Sequence, residues 1–242
     1  MPLFAVTLAL AFDLKSAVKI ALVALSVSPV PPILPKKALK AGGKEDYALG
    51  LLVAAATLAI IVISVALELF KRVFAVPVQT SPTSVLVLVL TTVLAPLALG
   101  IAIRAAAPAF AEMVAGPMSM VATVLLLVSA LPVIITARHA IFSLVGDGTL
   151  VAFAAFTLVA LIVGHLLGGP ESENRLVLAL STASRHPGVA IAIAHANFPA
   201  QKLALAAVLL FLIVNAIVSA PYLAWPKRQR ITDTGNERQA RA

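Results

Sequence analysis

The chain has 242 residues, of which 61% are hydrophobic and only 12% charged, with a mean hydropathy of +1.06. A soluble domain is about 45–50% apolar and about 25% charged, so this composition excludes an ordinary soluble enzyme, a disordered chain and a nucleic-acid-binding module. The net charge of +8 is not gathered into one stripe but sits in short clusters between long apolar runs, which is the membrane pattern. With no Cys, the chain has no disulfide framework, thiolate metal site or Cys nucleophile.

In chain order, residues 1–16 form a short apolar segment. Its run LFAVTLALAF at 3–12 is not preceded by Lys or Arg, as a cleaved secretory signal would be. It is also too short to cross a bilayer core of about 30 Å, which needs about 20 helical residues. Residues 17–226 are read as a transmembrane domain of about seven segments. Five are continuous spans, 45–70, 83–104, 117–138, 149–168 and 200–225, with charge-free centres at Ala48–Leu67, Val85–Ile103, Pro117–Ala137, Leu150–Leu167 and Leu203–Trp225. Their unbroken apolar runs read as helices rather than barrel strands, which alternate and are about half as long. Connections are expected at Val76–Pro82, Pro108–Gly116, Arg138–Gly148 and Gly168–Arg175, where breaker and polar residues collect. Residues 227–242 (KRQRITDTGNERQARA) read as a basic, disordered tail.

Two further segments are apolar but interrupted. In 17–43 (AVKIALVALSVSPVPPILPKKALKAGG), Pro29, Pro31, Pro32 and Pro35 cannot lie in one continuous helix. In 172–197 the sequence Pro187-Gly188 interrupts RLVLALSTASRHPGVAIAIAHAN. Lys19 to Ser28 covers about 14 Å of helix and Arg175 to Arg185 about 15 Å, so both breaks fall near mid-bilayer if their flanks lie at the faces. Irregular backbone is tolerated at that depth only when buried in protein or lining a cavity. Each break is followed by a short polar stretch and a long helix, and the two units run in opposite senses. Paired interrupted helices in inverted halves are the sequence pointer to a carrier's substrate site. The alternative for either break alone is a simple proline kink.

Placing the C-terminus in the cytoplasm puts Lys36, Lys37, Lys40, Lys44, Arg104, Arg175 and the five cations of the tail on the inner side. Lys15, Lys19, Lys71, Arg72, Arg138 and Lys202 fall outside, and Arg185 falls within the slab. This bias favours an inner-membrane, multi-pass protein with a cytoplasmic C-terminus.

Three stretches, Leu25–Gly43 (LSVSPVPPILPKKALKAGG), Thr92–Ile103 (TVLAPLALGIAI) and Ser181–Trp225, give the chain its likeness to a known family. It resembles the bile acid:sodium symporter family, within a superfamily of bile acid, arsenite and auxin carriers. The resemblance covers about residues 17–226 and implies an all-α, inverted-repeat secondary transporter. Members have ten helices in two inverted five-helix repeats, with the fourth and ninth helices broken and crossing at mid-membrane. By resemblance, 17–43 matches the fourth, 172–197 the ninth, and 1–16 a remnant of the second. The chain is thus a shortened member.

The resemblance also implies sodium ligands that this sequence lacks. Where the ninth helix usually carries a Glu and then Gln-Asn, this chain has Ser181, Arg185 and His186. After the fourth-helix break it has Ile33, Leu34, Pro35, Lys36 and Lys37 instead of small polar residues and an Asn. Lost oxygens and added cations argue against sodium coupling. A charged side chain at mid-bilayer is costly and normally faces a cavity with a partner. The ten acids (Asp13, Glu45, Asp46, Glu68, Glu112, Asp147, Glu171, Glu173, Asp233 and Glu237) all lie in loops or at span ends.

The expected substrate site is therefore Ser28, Pro29, Pro31, Pro32, Lys36, Lys37, Ser181, Ser184, Arg185, His186 and Asn215. In it Arg185, with Lys36 or Lys37, replaces a bound cation and attracts an organic anion, for which the planar guanidinium fork suits a carboxylate. Competing readings have Lys37 and Lys40 snorkelling to an interface, Arg185 nearer an interface, Asn215 bonded to a neighbouring helix, and His186 coupling transport to protons.

The expected function is secondary transport of an organic anion by alternating access around the crossing helices. No cofactor is expected, and sodium or a proton remains open as coupling ion. The partners are the lipid bilayer and a small organic anion, not nucleic acid, with homo-oligomerisation left open. The alternative is a non-transporting truncated remnant or membrane assembly partner. No G-x-S-x-G, H-E-x-x-H or P-loop motif points to an enzyme or an ATP-driven pump.

Overall fold

The computed structural model describes residues 1–74 and 82–240, all of whose regular structure is helical. The helices are α1 (Pro2–Ala11), α2 (Ser16–Val27), α3 (Leu34–Ala41), α4 (Glu45–Phe74), α5 (Pro82–Val89), α6 (Ala95–Ala106), α7 (Pro108–Ser143), α8 (Thr149–Leu167), α9 (Ser172–Ala183), α10 (Pro187–Asn197) and α11 (Ala204–Ala240). Five stretches among the described residues are long and apolar enough to cross a membrane: Val87–Ala106, Pro108–Ser143, Thr149–Leu167, Ser172–Asn197 and Ala204–Ala224. The span expected at 45–70 lies within the 30 residues of α4. Most of the connection expected at Val76–Pro82 lies outside the described residues, and α11 runs on through 227–240, which the sequence suggested as a disordered tail.

Both interrupted segments are broken where the prolines stand. α2 ends at Val27 and α3 begins at Leu34, with Pro35 in its first turn, where a missing N–H costs nothing. α3 closes on Gly42 at φ 98°, a left-handed turn in which the Gly43 N–H reaches the Ala38 carbonyl at 2.9 Å. α9 ends at Ala183, Ser184 to His186 are extended, and Pro187 opens α10.

Two connections are shorter than expected. Pro108–Gly116 is not a loop: the chain turns at Ala107 alone (φ −144°, ψ 71°), and α7 starts at once on Pro108. Pro at the first helical position is favourable, and the following Ala and Met residues are good helix formers, so Gly116 and Pro117 are carried inside the helix. Likewise α7 runs to Ser143, leaving Leu144–Gly148 of the connection expected at Arg138–Gly148. Between α5 and α6 the helix widens to π geometry over Leu90–Leu94, and the Ala95 N–H reaches the Leu90 carbonyl. Pro96 follows immediately. A proline ring crowds the carbonyl four residues before it, and the wider turn relieves that clash without breaking the helix.

The polar contacts define two ends of the bundle. At one, the Lys15 ammonium donates to the Ser143 carbonyl at 2.5 Å and lies 3.7 Å from Asp147. At the other, Lys44 lies 4.0 Å from Glu171, Arg175 donates to the Pro170 carbonyl at 2.6 Å, and His165 shares a 2.8 Å bond with the Tyr222 hydroxyl. The α2–α3 unit therefore runs from the first end to the second, and α9–α10 runs back. α2 packs against α10, and α3 against α9. The core is built mainly from α2, α8, α9, α10 and α11, with Phe153, Phe156 and Phe211 fully buried among them. By contrast α6 buries no residue.

Candidate site at the meeting of the two breaks

The two interruptions touch. The His186 backbone N–H donates to the Pro29 carbonyl at 2.9 Å, joining the first break to the second. The break itself frees that acceptor, since a continuous helix would have turned it onto the amide four residues later. Each of the helices leading in, α2 and α9, is 12 residues or about 18 Å long. Helices of that length would carry the contact about halfway into a slab of about 30 Å if their outer ends lie at its faces.

The loose ends of the half-helices are met in different ways. At α2, the Ser28 N–H reaches the Ala24 and Leu25 carbonyls at 3.1 and 3.2 Å, and its hydroxyl donates to Leu25 at 2.9 Å. At α9, the Asn215 amide reaches across from α11 to donate to the Ala183 carbonyl at 3.0 Å and to the Thr157 hydroxyl of α8 at 3.3 Å. α10 starts with His186 as its cap, whose ring Nδ1 accepts the Val189 N–H at 3.3 Å. That bond requires a lone pair on Nδ1, so the tautomer that fits carries its proton on Nε2.

Arg185 lies inside this arrangement. Its guanidinium carbon is 5.8 Å from the centre of the Phe156 ring, within cation–π range. Phe156 is itself stacked on Phe4 (6.5 Å) and met edge-on by Phe211 (5.9 Å). The Arg185 Nε is buried without a hydrogen-bond partner, and among the described residues no carboxylate forms an ion pair with this side chain. A guanidinium backed by an aromatic face, with its Nε unspent and no ion-paired acid among the described residues, is suited to receive an anion.

The structure brings Ser28, Pro29, Ser184, Arg185 and His186 to one place, and Asn215 to its edge. Pro31 and Pro32 belong to the turn that leads into α3, where the Pro31 carbonyl accepts the Leu34 N–H at 3.0 Å. Ser181 is 2% exposed and its hydroxyl is turned back onto the Val177 carbonyl at 2.7 Å, an ordinary intrahelical bond. Lys36 does not reach Arg185's surroundings; its ammonium bridges to the Ser119 hydroxyl and, at 3.5 Å, to Thr123 on α7. Lys37 is half-buried. Sequence reasoning missed Phe156 and Thr157. The one available signal was a lone Thr beside a Phe in an otherwise apolar run.

These features define an all-helical, multi-pass membrane protein whose two interrupted helices meet at their breaks. Residues 1–144 match the family model described as the Sodium Bile acid symporter family. That is more than half of the chain, and the chain belongs to the sodium bile acid symporter family. The match takes in the first broken unit and ends beyond α7, so α8–α11, with the second break, lie outside it. None of the curated proteins matches the chain.

Proposed function

We propose that this protein is a secondary carrier for an organic anion, and that Arg185 is the fixed counter-charge of its site. The observation that carries this reading is the meeting of the two breaks, through His186 and Pro29, beside a guanidinium that has no acidic partner among the described residues. The packing supports an inverted repeat. Exchanging α2 with α9, α3 with α10, α4 with α11 and α1 with α8 turns the contacts α1–α2, α2–α10, α3–α4 and α2–α11 into α8–α9, α9–α3, α10–α11 and α9–α4, all of which occur. In that pairing α1 is the counterpart of α8. Counting each broken unit as one crossing gives seven crossings after α1. The charge bias supports an inner-membrane location with the C-terminus in the cytoplasm.

Sodium is not needed in this scheme. The cation that a symporter would borrow from solution is covalently present as Arg185, and the Ser181 and Asn215 side chains are turned to donate to the Val177 and Ala183 carbonyls. Alternating access would then move the crossing units against the exposed α5–α7 elements while the anion sits between Arg185 and the opposite break.

The test is uptake by the full chain in proteoliposomes, with radiolabelled cholate and benzoate as probes, in sodium and in choline chloride. Saturable uptake that persists in choline is expected. Strict sodium dependence would refute Arg185 as the resident cation. A second reading, a non-transporting assembly partner, draws on the exposure of α6 along its whole length. It predicts no uptake of either probe in either salt.

A further inference from the structure

α3 is a short helix with two characters: Leu34, Ala38 and Ala41 are buried, while Lys36 and Lys40 are exposed. It packs on α4, α9 and α11, whereas α7 packs on α6 and α11. The most apolar window of α7 buries none of its residues. The Lys36 side chain bridges these two helices, donating to the Ser119 hydroxyl and reaching the Thr123 hydroxyl at 3.5 Å.

The hydroxyls divide the work. Thr123 donates its own proton to the Ser119 backbone carbonyl at 2.6 Å, so towards Lys36 it can only accept. Ser119 and Thr123 are four residues apart on one helix face, one above the other. Ser119 therefore presents both an oxygen and a free-to-rotate proton beside an ammonium. Among the described residues no carboxylate pairs with Lys36. An exposed ammonium with two neutral acceptors keeps a third donor for an anion, to which a bond is roughly twice as strong.

Resting on the carrier reading and extending it, we propose that Lys36, Ser119 and Thr123 form a second anion site between α3 and α7, which takes the carboxylate or sulfonate of the same class of solute. Lys36 and the Ser119 hydroxyl bind the anion, and Thr123 holds the ammonium in place. Lys36 stands seven residues beyond Pro29, on the arm that leaves the first break. An anion there is bound by the crossing unit and by a peripheral helix at once, so it couples the two.

The chain contains no Cys, so a single Ser119→Cys variant of the full chain gives an unambiguous label. In proteoliposomes the probes are the anionic sulfonatoethyl and the cationic trimethylammonioethyl methanethiosulfonates. A positive charge about 4 Å away is expected to favour the anionic reagent by roughly fivefold or more. That preference should vanish with Lys36→Gln, survive with Lys36→Arg and be reduced when cholate is present. Thr123→Val, added to Ser119→Cys, should weaken it. Failure of both reagents to label, or a preference that is the same with and without the Lys36→Gln substitution, overturns the site. The readout requires no transport. Charge-selective labelling without uptake would sink only the carrier reading, and sodium-independent uptake without charge-selective labelling would sink only this one.

Discussion

α8 and α9 pack backbone against backbone, and within α8 the approach depends on the missing side chain of Gly164. A Cβ placed on Gly164 would lie 2.5 Å from the Ala179 Cα, 2.6 Å from the Leu178 carbonyl oxygen and 2.8 Å from the Ala179 nitrogen. All three are backbone atoms of α9 and cannot rotate aside. Moving from 2.5 Å to the 3.4 Å at which ordinary contact begins requires α8 and α9 to separate by at least 0.9 Å. Close approach of backbones at small residues is what holds helices together in lipid, where no hydrophobic drive acts between them. Gly164→Ala should therefore cost about 1–3 kcal/mol, the usual penalty for overpacking. For a chain of this size that is a fall in Tm of about 2–12 °C. Gly50, on α4, has nothing within 4 Å of its added Cβ. There the same substitution should be neutral or stabilise by up to about 1 kcal/mol, from helix propensity alone. Thermal unfolding of both variants in one detergent, followed by circular dichroism, compares the signs. Equal Tm shifts, or a stabilised Gly164→Ala, would refute the contact.

Three further outcomes follow from the site. Asn215→Leu strands the Ala183 carbonyl at the end of α9 and should cost about 0.6–1.7 kcal/mol in the same unfolding assay, with an unchanged Tm counting against the bond. Arg185→Gln removes the counter-charge and should abolish saturable cholate uptake, Arg185→Lys should retain part of it at a raised KM, and wild-type KM in the Gln variant would remove Arg185 from the site. Phe156→Leu deletes the ring face behind the guanidinium, worth about 0.5–2 kcal/mol, and should raise KM by roughly 2–30-fold. Phe153→Leu, which truncates a ring that packs on Phe211, is the control and should leave KM unchanged while lowering stability.

The breaks were legible because they are chemical: four prolines in seven residues leave too few backbone donors for a continuous helix, and Pro187 can open a helix where the preceding one has ended. The spans were legible because twenty apolar residues have few other uses. The contacts were less so. In a soluble helix the apolar stripe tells which face is buried, but α7 and α8 are apolar all round, and nothing in α8's composition sets Phe156 (0% exposed) apart from Leu166 (74% exposed). That is why Phe156 and Thr157 escaped notice, and why Ser119 and Thr123 were not singled out within their span. Ser181 shows the converse. Its position pointed to a ligand, yet a serine in a helix can satisfy itself on the carbonyl one turn back, as this one does. The turn at Ala107 was hidden for a third reason: proline and glycine mark loops only where the neighbouring residues do not favour a helix, and here alanine does.

The two breaks meet as near counterparts in packing but not in chemistry, and the difference bears on how the site can work. The first is stiff by covalent means. Pro29, Pro31, Pro32 and Pro35 each fix φ, and Ser28 satisfies the last turn of α2 from within its own segment. The second is held by others: Asn215 from α11 caps α9, Thr157 of α8 braces Asn215, and Phe156 of α8 backs Arg185. The backbone bond from His186 to Pro29 ties the held break to the stiff one. A conformational change that alters the site's access must therefore leave this crossing intact or break its shared bonds together. The cheaper course is rigid movement of α2, α3 and α8–α11 as one body, with the lightly packed α6 and the outer part of α7 moving against it. In the proposed carrier, Lys36 spans that boundary at one end of α7, as the Lys15–Ser143 bond does at the other, and it is at the Lys36 ammonium that an anion would be linked to the movement.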